Sequence, residues 1–217
     1  MERTEHVLAH AIEAVAGKKR LRVRGSEVDV TPPWDRISVR EAVKTHAGID
    51  LDLANTREAL AEATKAAGIH VAADDSYDDL FFRILLEKVE HRLGFPTPVF
   101  LYDYPTSMAA MARRKPGEPL WAERVELYLG GVELANGFSE LTDPAEQRLR
   151  LLEERVMQGE RLGVKADSLP LDEKFLEALG KMPASTGIAV GLDRVLMLAL
   201  ETAKIADVLA FPFEGTT

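Results

Sequence analysis

The sequence predicts an α+β fold, an antiparallel sheet flanked by helices. Three observations carry the prediction. Apolar residues recur at helical spacing through much of the first 95 positions; the runs 122–129 and 132–140 abut at Gly130-Gly131 like the arms of a hairpin; and a strand at 187–190 passes directly into a helix at 193–200. Helices first, then antiparallel strands with inserted helices, is an order that disfavours a parallel sheet. One domain over 1–217 is expected, with a mainly helical segment and a hairpin at 1–95 and the sheet at 96–217.

Each element has its own signal. Val7, Leu8, Ile12 and Val15 mark a helix over 4–16 that Gly17 stops. Leu21, Val23, Val28 and Val30 alternate with polar residues around Gly25-Ser26, which predicts a hairpin with Arg24 and Glu27 as a surface pair. Thr31-Pro32-Pro33-Trp34 is a turn, and Ser38 with Glu41 forms a capping box for a helix through His46. A helix from Asn55 or Thr56 reaches Ala67 and stops at Gly68. The acidic stretch 74–79 leads into an apolar helix ending near Leu93, with Leu80, Phe81, Ile84, Leu85 and Val89 inward. Residues 98–105 read as a strand, and 106–119 as a loop mobile around Lys115-Pro116-Gly117. Asp143, Pro144 and Glu146 open a helix to about Gln158, and another covers 172–179.

Composition narrows the function. Apolar content of 46% with 29% charged residues is that of a soluble globular protein. A net charge of −9 argues against a broad electrostatic grip on nucleic acid, and the run Arg113-Arg114-Lys115 is too short to reverse that. With no cysteine there is neither a disulfide nor thiolate chemistry. The N-terminus lacks the layout of a signal peptide and no stretch has the length of a membrane span, so a cytoplasmic location is expected. Only His6 and His10 among the five histidines share helical i,i+4 spacing, which makes a zinc site improbable. Trp34 and Trp121 read as packing residues.

The candidate chemistry lies in Gly131–Glu140. A buried strand rarely carries Glu133, Asn136 and Glu140 unless something polar sits on it, because carboxylates away from water need a partner. The competing reading is an edge strand with solvated glutamates. Alternation places Asn136, Phe138 and Glu140 on one face, where they suit an amino-acid-like ligand: a donor and acceptor, an apolar wall, and a charge for an ammonium group. Glu133 joins them only if the strand bends, which Ala135 or Gly137 permits; converging carboxylates would favour magnesium shared with a nucleotide. In Gly187–Arg194, the glycines at 187 and 191 allow a ring or phosphate to approach, and Arg194 is placed to stack on a base or neutralise a phosphate. The competing reading there is a glycine-punctuated core strand with Arg194 paired to an acid such as Asp193.

Three blocks carry a resemblance: Phe100-Leu101-Tyr102-Asp103-Tyr104-Pro105, Glu133 through Leu141, and Gly191-Leu192-Asp193-Arg194. Together they resemble the catalytic core of class II aminoacyl-tRNA synthetases of the lysine-specific branch, on the side of the compact ligases that attach beta-lysine to elongation factor P. The resemblance spans essentially the whole chain. It implies that Glu133, Leu134, Gly191 and Arg194 contact ATP, that Asn136, Phe138, Glu140 and Ala189 hold lysine or beta-lysine, and that Glu133 and Glu140 share Mg2+. Arg194 is the implied catalytic residue. Ala189 stands where lysyl-tRNA synthetases usually carry glycine, a difference of one methyl in the pocket wall. The implied reaction is formation of an aminoacyl-adenylate and transfer to a lysine of elongation factor P, or alternatively to tRNA-Lys. A non-catalytic paralogue that binds an amino acid or nucleotide is the third reading.

The chain departs from the family pattern at its start. The first and second family motifs are not visible, and Arg24 to Glu27 does not replace the second. The fold is therefore expected to be a class II core truncated at the N-terminus, dimeric in the full-length protein. Without the second motif's phosphate-clamping arginine, these residues alone are not expected to catalyse.

Overall fold

The computed structural model describes residues 1–212. Contacts divide the chain into two compact units. The first comprises residues 1–103, 125–136 and 189–217; the second comprises 104–124 and 137–188.

In the first unit, α1 (Glu2–Ala16) ends at Gly17 in the left-handed conformation that glycine adopts without strain. The hairpin of β1 (Arg20–Val23) and β2 (Ser26–Asp29) turns through Arg24 and Gly25, both at positive φ. Arg24 is not paired with Glu27; the register sets Glu27 opposite Arg22, and its carboxylate reaches the diagonal neighbour Arg20 at 3.3 Å. After the proline turn, β3 (Asp35–Ser38) precedes α2 (Val39–Ala47), whose Ser38–Glu41 capping box is present. Thr56 caps α3 (Arg57–Ala66) and Ser76 caps α4 (Tyr77–Ile84). Beyond α4 the apolar helix widens into a π turn (Leu85–Val89) and tightens into a 3-10 turn (Glu90–Arg92). Its five expected inward residues are all buried. The core joins α1 and both hairpin strands to Trp34, Phe100, Leu127, Leu129, Leu134, Val195 and Leu198.

The larger sheet runs in the order β3-β4-β6-β7-β8, with β5 paired to β6. Its strands are β4 (Val99–Pro105), β5 (Arg114–Lys115), β6 (Glu118–Leu129), β7 (Val132–Ser139) and β8 (Thr186–Val190). β3 and β4 pair in parallel, an exception to the expected antiparallel sheet. The four residues of β3, only one of them buried, were too short a run to read as a strand. β7 lies between β6 and β8, so it is not an edge strand.

In the second unit the expected mobile loop holds a small hairpin: Lys115 pairs with Glu118 across Pro116-Gly117, with Gly117 at positive φ. Asp143 caps α5 (Pro144–Leu162), accepting from Ala145 N at 2.8 Å. Glu146 does not reach back to the cap; Arg114 and Arg150 hold its carboxylate. Asp172 caps α6 (Glu173–Leu179). The last helix, α7 (Leu192–Ala199), belongs to the first unit. Among the described residues no helix is long and apolar enough to cross a membrane.

Candidate functional site

The sequence-predicted residues fall into two groups. Glu133, Leu134, Asn136, Ala189, Gly191 and Arg194 belong to the first unit, and Phe138 and Glu140 to the second.

In the first group, β8 and α7 bring Arg194 to β7. Gly191 N donates to Leu134 O at 2.9 Å, and one turn later Arg194 Nη1 donates to Glu133 O at 2.8 Å. The same Nη1 lies 3.6 Å from Glu133 Oε2. Arg194 is thus paired with Glu133 and not with its neighbour Asp193, and its side chain keeps 48% of its exposure. An ion pair this exposed contributes little stability, so the guanidinium is held in place yet available. The Leu134 side chain is buried in the core and can meet a ligand only through its backbone. Ala189 is exposed, as is most of β8, which overturns the reading of a core strand. A Cβ on Gly191 would make only ordinary contacts, at 3.6 Å or more; the protein's own packing does not demand glycine there.

Asn136 has a partner that sequence reasoning missed. Its Nδ2 donates to Glu126 Oε1 at 3.1 Å, and Tyr128 Oη donates to Glu126 Oε2 at 2.7 Å. Glu126 is buried. The Tyr128 hydroxyl also lies 3.3 Å from Glu90, brought there by the 3-10 turn. Burial first, and the Glu126 charge second, push the Tyr128 phenol far above its usual range, so it stays a donor. Burial likewise raises Glu90. The available signal was Glu126 and Tyr128 alternating with Val125 and Leu127, the same polar-in-strand pattern that singled out β7.

In the second group, Phe138 packs on Ala109, Ala112 and Ala122. Buried Arg150 pins the chain below it, donating to the carbonyls of Ala109 and Ala112 at 2.8 Å each. This too was missed, since an arginine within a polar helix carries no signal in sequence. Glu140 is anchored by its backbone, its N–H donating to Ser185 O at 2.9 Å. Its carboxylate has no hydrogen-bond or ion-pair partner among the described residues. Partial burial raises its pKa. A Cβ on Gly187 would stand 2.8 Å from Glu140 Oε1, so glycine there leaves room for the carboxyl group.

Among the described residues no group of three or more acidic or histidine side chains is assembled for a metal ion. Magnesium shared with nucleotide phosphates needs fewer protein oxygens, and the half-exposed Glu133 carboxylate fits that role.

The family model for class II tRNA synthetases (D, K and N) matches residues 1–215. Lysine–tRNA ligase of Synechococcus sp. (strain CC9902) is 38% identical over 214 residues, covering 98% of this chain and 42% of the relative. The enzyme of the same name from Synechococcus sp. (strain CC9311) is 39% identical over 215 residues, 98% of this chain and 43% of the relative. That from Pelotomaculum thermopropionicum is 37% identical over 216 residues, with 98% and 42% covered. The chain spans about two fifths of the length of these curated relatives. The antiparallel-rich sheet flanked by helices is the expected fold class. The chain belongs to the class II tRNA synthetases of the D, K and N group, a family of ligases.

Proposed function

We propose that the chain is the C-terminal part of the catalytic domain of an ATP-dependent, lysine-activating ligase, a single partial domain over 1–217. Glu140 carries this reading: a part-buried carboxylate with a raised pKa and no partner among the described residues. Such an acid is completed by a cation. Lysine offers an ammonium group on an apolar stem, and Phe138 is the apolar wall for that stem. Asn136 commits its Nδ2 to Glu126 and presents its carbonyl oxygen as an acceptor. The resemblance to the family also assigns Ala189 to the substrate.

ATP is assigned to Glu133, Gly191, Arg194 and the backbone at Leu134. Arg194 would neutralise phosphate charge, and Glu133 would share Mg2+ with the phosphates. Glu140 is assigned to the substrate amine in preference to the metal, because strand alternation sets it on the face of Phe138, whose apolar wall suits an ammonium group on an aliphatic stem. A lysine carboxylate oxygen attacks the α-phosphorus, pyrophosphate departs, and an aminoacyl-adenylate forms. The acceptor nucleophile then attacks the carbonyl and AMP departs. Positioning and charge neutralisation drive both steps.

The relatives' names support tRNA-Lys as acceptor; a cytoplasmic location and a homodimeric full-length protein are part of the same reading, carried by the resemblance to the family. Ala189 favours a second reading, beta-lysine transferred to a lysine of elongation factor P. The test is ATP–pyrophosphate exchange by the full-length gene product with lysine and with beta-lysine, followed by transfer to tRNA-Lys or to elongation factor P. Exchange with lysine and charging of tRNA-Lys are expected. Transfer to elongation factor P alone would select the second reading, and absence of exchange with either amino acid would reject both.

A further inference from the structure

Three turns meet at one edge of the first unit: the β1–β2 tip, the turn at Gly94, and the Gly130-Gly131 turn between β6 and β7. A Cβ on Gly94 would lie 2.7 Å from Gly130 N and Tyr128 O, and one on Gly130 would lie 2.4 Å from Val23 Cγ1. The backbones are in contact, and Gly130 N donates to Gly94 O at 2.9 Å while Gly131 N donates to Leu93 O at 2.8 Å. This edge is rigid.

Two arginines and an imidazole are set on it. Arg24 adopts a left-handed backbone, φ 50, where a non-glycine residue is uncommon. Its Nη1 donates to Gly131 O at 3.4 Å. A Cβ on Gly131 would stand 2.7 Å from that Nη1 and 3.3 Å from His91 Cα, so the guanidinium lies over the turn, beside His91. Arg92 Nε points at His91 Nε2, 3.3 Å away. His46 is close enough for Arg92 and His91 to add to the burial that lowers its pKa. Arg24, His91 and Arg92 are exposed, and among the described residues none has a carboxylate partner.

In a chain of net charge −9, two arginines without carboxylate partners on one edge, with an imidazole between them, mark a polyanion. The basic run in the sequence shows the contrast: Arg113 is paired with Glu123, Arg114 with Glu146 and Lys115 with Glu118. We propose that the edge formed by Arg24, His91 and Arg92 docks the phosphate backbone of an RNA. Arginine forks match phosphate oxygens, and the rigid turns hold them at fixed spacing. The proposal rests on the reading of an RNA acceptor. It adds that this edge, two residues along β7 from Glu133, helps to hold that RNA.

The experiment is fluorescence anisotropy of a labelled tRNA-Lys transcript with the full-length protein across a salt titration. Each phosphate-contacting cation adds about one unit to the slope of log K against log salt. Arg24→Gln and Arg92→Gln should each lower the slope by about one, and Arg24→Lys and Arg92→Lys should restore it. Arg148→Gln, whose partner is Glu173, should leave it unchanged. Wild-type slopes in both glutamine variants would overturn the proposal, as would displacement of the transcript by inorganic phosphate at equal charge concentration, which would indicate a small-anion site. Lysine-dependent exchange is scored separately: its absence alongside altered slopes would reject the activation chemistry and keep the docking surface.

Discussion

The two ends of β7 solve the burial of acids in opposite ways. Toward its start, in the first unit, each carboxylate has a neighbour: Glu133 has Arg194, and Glu126 on β6 has Asn136 and Tyr128. Just past its end, in the second unit, Glu140 is left without one among the described residues, while the arginine nearby in sequence, Arg150, serves the backbone of 109–112. In the first arrangement every one of these acids has a partner within the protein. In the second, hydrogen bonds hold the backbone around Glu140 while its carboxylate has no partner among the described residues. Where a protein fixes the surroundings of an acid and leaves the acid unpaired, a ligand's charge is the natural completion.

The largest expected effect breaks the rigid surroundings. Arg150→Met orphans the carbonyls of Ala109 and Ala112 and takes one partner from Glu146, which should cost about 3 kcal/mol. Chemical denaturation followed by a probe in the second unit would measure it; a loss below about 1 kcal/mol would mean the arginine does not pin the loop. Gly137→Ala should follow at about 2 kcal/mol, because its Cβ would lie 2.4 Å from the Gly187 carbonyl oxygen and neither backbone can yield freely. An unchanged midpoint would show that β7 and β8 are not in close contact there.

On the paired side, Tyr128→Phe should cost about 1 kcal/mol, the worth of one buried hydrogen bond. It should also loosen Asn136 through Glu126, weakening lysine binding more than ATP binding. Equal weakening of both would place the network's role elsewhere.

The smallest effect is a pH dependence. Glu140 has a folded pKa raised above its unfolded value, so its favourable contribution is complete below the unfolded pKa and is lost as pH rises through the folded one. Relative to wild type, Glu140→Gln should therefore gain stability as pH climbs from 4 toward 7. Thermal melts over that range test it, and a gain toward acid would reverse the sign.

Much of the fold was legible in sequence because its signals are local. The Ser38–Glu41 box, the caps at Thr56 and Asp143, and the glycine pair at 130–131 each fix a boundary through neighbouring residues. β3 was not legible because its four residues depend on β4 for their pairing. The candidate site was half legible. Glu133, Asn136, Glu140 and Arg194 announce themselves as polar residues among small ones, whereas Glu126, Arg150 and the Arg24–Arg92 edge emerge only when distant segments meet. The basic run at 113–115 misleads in the other direction, since a charge in sequence says nothing of its partner in space.

The most direct measurement is calorimetric titration of lysine, at neutral pH, into wild-type protein and Glu140→Gln. Saturable binding to wild type and a loss of about 100-fold in the variant are expected, the scale of a charge-assisted hydrogen bond removed from a partly dry site. Equal affinity in the two proteins would contradict the assignment of Glu140 to the substrate amine.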